Sequence, residues 1–249
     1  MITKIDELKK LFYEIKDKGW IKSETIGPGS IGRTFENLIG IPSNEFEIPD
    51  FDQIEIKTKT EYSDSYTTLF SCTPTGPHYH EVERLKNLYG YPDSKLKMYN
   101  VLNTSVYSKY KSKVGVNFFF ELKVDKEKEK LYLLIYDKHK NLIENEVYWD
   151  FDILEEKLYR KLKYLAFVKA KKKMYGGKKY FKYYNMKFYK LKDFNTFINL
   201  LDAGIIRISI KVGIFRDTQR IGKTHDHGTS FCIQEKDLNK LYELIEICK

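Results

Sequence analysis

Apolar residues recur at three- and four-residue steps near the start of the chain. There Ile5, Leu8, Leu11, Phe12 and Ile15 fall on one side, so residues 3–17 are predicted to form an amphipathic helix. A second helix is expected after the turn Gly27-Pro28-Gly29-Ser30, running through Thr34 to Ile39 and stopping at Gly40. The period then changes to two. Residues 52–60, DQIEIKTKT, alternate polar and apolar as a half-buried strand does, and residues 67–73 read as a neighbouring strand. Residues 114–124 and 130–136 flank the charged turn Asp125 to Lys128, the pattern of a hairpin. Further on, the pattern predicts a short helix at 151–160, strands at 163–170 and 179–189 around Gly176-Gly177, and a helix at 193–201. Strands at 205–213 and 228–233 and a closing helix at 236–247 complete the series. With no internal repeat and no long linker, this order implies an α/β or α+β chain.

Composition narrows the class. A chain of 249 residues with 42% hydrophobic and 15% aromatic residues has ample material for a core, which excludes a disordered or minimal scaffold. A protein this size buries roughly three quarters of its unfolded surface, and one elaborated domain over 1–249 is expected. No apolar run is long enough for a membrane span, and the charged amphipathic segment Met1 to Lys18 has no signal-type core, so a cytoplasmic protein without a membrane partner is expected. Cys72, Cys232 and Cys248 lie far apart without metal-ligand spacing, which predicts buried thiols.

The net charge of +9 is compatible with a polyanionic partner. The tract KAKKKMYGGKKYFKYYNMKFYK interleaves cations with aromatics, and two readings stand beside each other. A nucleic-acid backbone could lie along it, lysines meeting phosphates and rings stacking on bases, or it is a solvated hairpin whose tyrosines pack inward. Composition alone favours the second.

The stretch that carries chemistry is Pro49-Asp50 followed by Glu55-Ile56-Lys57. On a strand, Glu55 and Lys57 emerge on one face while Ile54 and Ile56 point to the other, and the short segment 51–53 lets Asp50 turn back toward them. Two carboxylates held together repel unless a divalent cation lies between them, and Mg²⁺ prefers such oxygens; the Ile56 carbonyl is a candidate third ligand. A lysine beside that site can orient water and offset charge developing on a phosphate, as phosphodiester hydrolysis requires. The spacing by itself is common among exposed strands in a chain with 32% charged residues. Glu36, on the preceding helix, is either a further carboxylate for this centre or a partner in a structural salt bridge.

The runs GPGSIGRTFENLIG, PDFDQIEIKTK, TTLFSCTPTGP and GKTHDHGTSF, with VYWDFD at 147–152 and LKYLAFV at 162–168, closely resemble the MvaI/BcnI restriction endonucleases, the MvaI branch being the nearer. More distantly they resemble the mismatch-repair nickase MutH. The resemblance covers most of the chain in several ordered motifs. It implies a MutH-like PD-(D/E)xK fold, a mixed central sheet flanked by helices, with a catalytic part over about 1–170 and a DNA-reading part over about 171–249 as lobes around a cleft. It also implies an Mg²⁺-dependent type II endonuclease with Asp50, Glu55 and Lys57 at its centre and Glu36 in support. Such an enzyme acts as a monomer on double-stranded DNA, cutting one strand of a short pseudo-palindrome and then the other, with a cognate methyltransferase as a genetic companion. The competing readings are a MutH-like strand-nicking enzyme and a non-catalytic DNA-binding module.

The segment Gly222 to Thr229 contains His225, Asp226 and His227. A metal reading is weaker than base reading, because adjacent strand residues point to opposite faces and no further ligand cluster is evident. Asp accepts from a cytosine amino group and His donates to guanine acceptors. The resemblance places this segment on the DNA-reading face, so Lys223, His225, Asp226, His227 and Thr229 are assigned there, with a structural role for one histidine left open. Departures fall on the same face. The strand IRISIKVG carries Ser209 and Lys211 where the relatives carry Asp and Arg, and Cys232 stands where Arg is usual. Lysine lacks the bidentate fork of arginine, and each such contact is worth about 1–3 kcal/mol of base discrimination. A five-base-pair site of CCNGG-like layout follows, with CCWGG as one candidate and altered preference as another.

Overall fold

The computed structural model describes residues 2–27, 29–41 and 49–249; Met1 of the charged N-terminal segment and Pro28 of the predicted glycine-rich turn lie outside them. In chain order the elements are α1 (Ile2–Asp17), β1 (Ile21–Lys22), α2 (Ser30–Leu38), β2 (Ile54–Thr60), β3 (Thr67–Ser71), α3 (Glu81–Tyr89) and β4 (Tyr91–Pro92). There follow β5 (Asn100–Val106), β6 (Ser112–Val114), β7 (Phe118–Asp125), β8 (Lys130–Asp137), β9 (Leu142–Asp150) and α4 (Phe151–Leu162). The chain ends with β10 (Tyr164–Tyr175), β11 (Lys178–Leu191), α5 (Phe194–Asp202), β12 (Arg207–Ile214), β13 (Thr224–Ile233), α6 (Leu238–Leu241) and β14 (Tyr242–Cys248).

Packing divides the chain into two compact units that interleave in sequence: residues 1–65, 158–192 and 241–249 form one, and residues 66–157 and 193–240 the other. Residue 170, near which the two functional parts were expected to divide, lies inside β10 of the first unit.

In the first unit a mixed sheet runs β1-β11-β10-β2, with β14 also paired to β11. Within it β2 and β10 run parallel, with Glu55 opposite Leu165 and Lys57 opposite Phe167. One face of this sheet packs on α1 and α2, where Leu8, Phe12, Phe35, Ile54, Ile56, Ala166 and Val168 are buried together. Each large apolar side chain so buried contributes about 1.5–3 kcal/mol. Helix α2 is tied down by polar contacts as well: the Thr34 hydroxyl donates to the Ser30 carbonyl (2.7 Å), and the buried Tyr183 hydroxyl donates to the Ile31 carbonyl (2.7 Å).

The closing segment differs from expectation. Residues 236–247 are not one helix: a 3-10 turn at Glu235–Asp237 and the single turn of α6 give way to β14. Leu238, Leu241 and Tyr242 are buried as a helical stripe would be, but β1 covers only Phe181 and Tyr180 of β11, and the open edge from Met186 to Leu191 takes up 242–248 as an antiparallel strand.

The second unit contains two sheets, β3-β13-β12-β5-β4 and β6-β7-β8-β9. The predicted hairpin is β7–β8, in register from Phe118–Asp137 to Asp125–Lys130. Phe70 stacks on Phe231 at 4.8 Å, Phe197 lies 5.8 Å from the same ring, and the buried Trp149 donates to the Cys72 carbonyl (2.9 Å). All three cysteines are buried and none is in a disulfide, as expected. The turn-rich stretch near Tyr79 to Tyr110 contains ordered elements, α3, β4 and β5. Among the described residues no helix is long and apolar enough to cross a membrane.

Candidate active site

Asp50 reaches β2 by a tight reversal. Phe51 and Ile54 exchange both backbone hydrogen bonds (3.0 and 2.8 Å), and Asp52 between them takes a left-handed conformation with φ of 54°. The reversal lays Asp50 alongside β2, where its Oδ2 accepts from the Ile56 N–H at 2.9 Å. One carboxylate oxygen is thereby fixed by the backbone of the strand that bears the other groups.

Glu55 is buried to 1% exposure, and its Oε1 accepts a hydrogen bond and ion pair from Lys57 Nζ. Lys161, from the last turn of α4, adds a second cation 3.7 Å from the same oxygen. The other oxygen, Oε2, is buried with no hydrogen-bond partner among the described residues. Burial raises the Glu55 carboxyl above the ordinary carboxylate value; Lys57 and Lys161 pull it down, and Asp50 pushes it up. Glu36 is raised as well, first by burial and then by the charge of Asp50, with Lys57 and Arg33 opposing. Thus Glu36, Asp50, Glu55 and Lys57 share one electrostatic neighbourhood, which the sequence spacing anticipates.

Two neighbours were not anticipated. The Tyr242 hydroxyl is buried and unpartnered among the described residues, and burial followed by the charge of Glu55 holds it protonated far above the usual phenol range. Lys161 lies more than a hundred residues from Glu55 in sequence, beyond any local spacing. Tyr183, similarly, is raised by burial and by Glu36.

The donor set fits a hard divalent cation: an orphaned buried oxygen of Glu55, the free oxygen of Asp50 and the strand carbonyl of Ile56. Among the described residues no three His, Cys, Asp or Glu side chains form a ligand cluster by themselves.

The second unit contains the other predicted residues. Around His227 and Gly228 the β12–β13 register shifts, so that Ile210 pairs with Thr229 and Val212 with Asp226, and Lys211 lies exposed opposite the extra residue. This is a bulge, a device that re-aims side chains. Gly228 has φ of 95°, and its N–H donates to Asp226 Oδ1 at 2.7 Å. The His225 ring stacks on Phe215 at 4.2 Å and 12° and lies 3.9 Å from the His227 ring, while Arg220 caps Phe215 at 3.8 Å. Asp226, His227 and Lys223 are exposed. Ser209 and Thr229 sit on the same sheet but are buried to 6% and 1%, so they shape the strand pair from beneath. Cys232 is also buried, its thiol directed at the Ser230 carbonyl (3.5 Å). Helix α3 supports the start of β13: the buried Lys86 donates to the Thr224 hydroxyl (2.8 Å), which donates to Glu83.

A mixed sheet whose outer strand bears carboxylate-x-lysine, entered by an aspartate-bearing reversal, is the architecture of PD-(D/E)xK-type nucleases. The profile of the MvaI/BcnI restriction endonuclease family matches residues 8–242, and the chain belongs to that family. It is similar to the restriction endonuclease MvaI in complex with its cognate DNA substrate, at 33% identity, a TM-score of 0.89 and 96% coverage of each chain. It is also similar to MvaI in the absence of DNA, at 33% identity and a TM-score of 0.64, covering 98% of this chain and 97% of the other. Comparison with curated proteins gives no match. Family membership makes the chain a site-specific deoxyribonuclease, a restriction endonuclease of a kind that generally uses divalent metal ions.

Proposed function

We propose that the chain hydrolyses phosphodiester bonds of double-stranded DNA as a Mg²⁺-dependent type II restriction endonuclease, acting as a monomer on a short CCNGG-like site. The observation that carries this reading is the pair of hydrogen bonds on β2, Asp50 with the Ile56 amide and Glu55 with Lys57.

Asp50, Glu55 and the Ile56 carbonyl would hold the cation, which supplies Lewis-acid charge at the scissile phosphate. Lys57 has three N–H donors and gives one to Glu55, which leaves two for an attacking water and a phosphate oxygen. Its ammonium offsets the negative charge that grows on the phosphoryl oxygens, and an in-place donor costs no reorganisation when that charge appears. Glu36 adds negative charge on the α2 side, which faces the Lys57 ammonium and would help retain a cation.

Target reading is assigned to the exposed groups near the β13 bulge. Asp226 can accept from a cytosine amino group, and His225, His227, Lys211 and Lys223 can donate to guanine acceptors. Ser209 and Thr229 set the strand geometry under them. Because Lys211 is a point charge and buried Cys232 has no fork to offer, base preference is proposed to differ from that of relatives with arginine at these positions.

Digestion of a DNA of known sequence by the purified chain with Mg²⁺, followed by mapping of the ends, tests the proposal. Discrete ends at one five-base-pair site are expected, and cleavage at CCWGG alone would refute altered preference. Double-strand cleavage without added protein excludes a partner-dependent nickase, whereas specific binding without any cleavage identifies a non-catalytic module.

A further inference from the structure

The positive charge of this protein is concentrated in one place. Residues 162–192 contain eleven lysines and no arginine, aspartate or glutamate, leaving −2 for the remainder of a +9 chain. This segment is the β10–β11 hairpin, and beyond Ala170, the last residue of β10 paired to β2, it continues as a ribbon to Tyr175 and Lys178, with β1 along its β11 edge at Phe181 and Tyr180.

The ribbon has two unlike faces. Opposed residues of an antiparallel pair share a face, so the pairs Lys171–Lys182, Lys173–Tyr180 and Tyr175–Lys178 lie together. The other face has Phe181, Tyr183 and Ala170 buried in the core with α1 and α2. On the first face Lys173 sits 4.3 Å from the centre of the Trp20 ring, and β1 adds Lys22 beside Tyr180. Lys171, Lys173, Lys178 and Lys182 are exposed.

Strand alternation connects this face to the catalytic groups. Leu165, Phe167 and Lys169 pair with Glu55, Lys57 and Lys59, so Lys171 and Lys173 continue the same side of the sheet. At about 3.3 Å per residue the ribbon carries that side roughly 25 Å past the level of Lys57, or about seven base pairs of duplex.

We propose that this ribbon face, Lys171, Lys173, Lys178 and Lys182 with Trp20 and Tyr180, is a phosphate-binding track for duplex DNA flanking the cut site, gripping the backbone without reading bases. The identity of the polyanion rests on the nuclease reading above. The Trp20 and Tyr180 rings hold the Lys173 ammonium between them, and the segment itself contains no carboxylate to offset its charge. Such a track supplies the salt-dependent, sequence-independent part of binding that precedes target location.

The test is the salt dependence of binding to a 30-base-pair duplex lacking any CCNGG sequence, measured by fluorescence anisotropy without divalent cation. Replacing Lys171, Lys173, Lys178 and Lys182 by Gln is expected to reduce the magnitude of the log–log slope by about 0.9 for each phosphate no longer neutralised, and so by about 3–4 in all. The same four changed to Arg should keep the wild-type slope. Replacing Lys4, Lys10, Lys16 and Lys18 on and just after α1, on the opposite side of the sheet, removes equal net charge and should leave the slope near wild type. An unchanged slope in a folded ribbon Gln variant overturns the proposal, as does an equal loss in the α1 variant. A reduced slope in a chain that never cuts DNA would overturn the nuclease reading and leave the track standing; cutting with an unchanged slope would do the reverse.

Discussion

At the residue scale, the centre is a balance between buried carboxylates and the cations placed against them. Changing Lys57 to Ala removes the ammonium hydrogen-bonded to Glu55 and should lower cleavage by about 10³-fold, with Glu55→Ala doing at least as much. Specific DNA binding, measured by gel shift, should survive in both. Because Glu36 and Glu55 are raised in the fold, the folded chain binds more protons than the unfolded chain just above pH 4.5. Their contribution to stability is therefore fully present below that value and is lost as pH rises through the raised values. Calcium favours the ionised carboxylates, so its stabilising shift in Tm should grow across the same window and vanish in Glu55→Gln; a pH-independent shift would contradict the assignment. Tyr242 offers a separate measurement. Its buried hydroxyl has no partner among the described residues, so Tyr242→Phe should stabilise the metal-free protein by about 1 kcal/mol in urea denaturation.

At the scale of elements, alternation and turn chemistry were legible, and competition for a sheet edge was not. DQIEIKTKT was readable as a strand because one face must reach the core while the other carries charge, and the reversal before it followed from the short distance between Asp50 and Glu55. Residues 236–247 have apolar positions three and four apart, a helical signal, yet the second half of them adds to β11 because that edge was otherwise unpaired. Lys161 and Tyr242 escaped notice for the same reason: the α4 end and β14 bring them to Glu55, and no local pattern encodes that arrival. The bulge at Gly228 is the testable element of the second unit. A Cβ there would lie 3.3 Å from Ser71 Oγ, in a backbone region that side chains disfavour. Gly228→Ala should cost about 1–3 kcal/mol of stability and weaken discrimination among target bases more than it weakens non-specific binding, as competition assays with unrelated duplex would show.

For the molecule as a whole, each unit has its own core and its own kind of chemistry. The first holds the acidic centre and nearly all of the net positive charge; the second holds the His225 ring stacked on Phe215, with the tilted His227 ring against it, beside Asp226. If the chain acts as the proposed monomer with one such centre, it breaks one strand per encounter, so supercoiled plasmid carrying a single site should pass through a nicked circle before the linear form appears. Linear product formed without that intermediate would indicate two centres acting together.

The interleaving of the units along the chain constrains how such an enzyme can change. Grafting the second unit from one relative onto the first unit of another takes four junctions, at residues 65/66, 157/158, 192/193 and 240/241, and the second of these cuts through α4. No single crossover exchanges one unit whole while leaving the other intact. Under the proposed assignment of target reading to β12, β13 and the residue before β13, new target preferences would come by stepwise substitution there, and a focused library at Lys211, Lys223 and Asp226 would serve an engineer better than chimaeras.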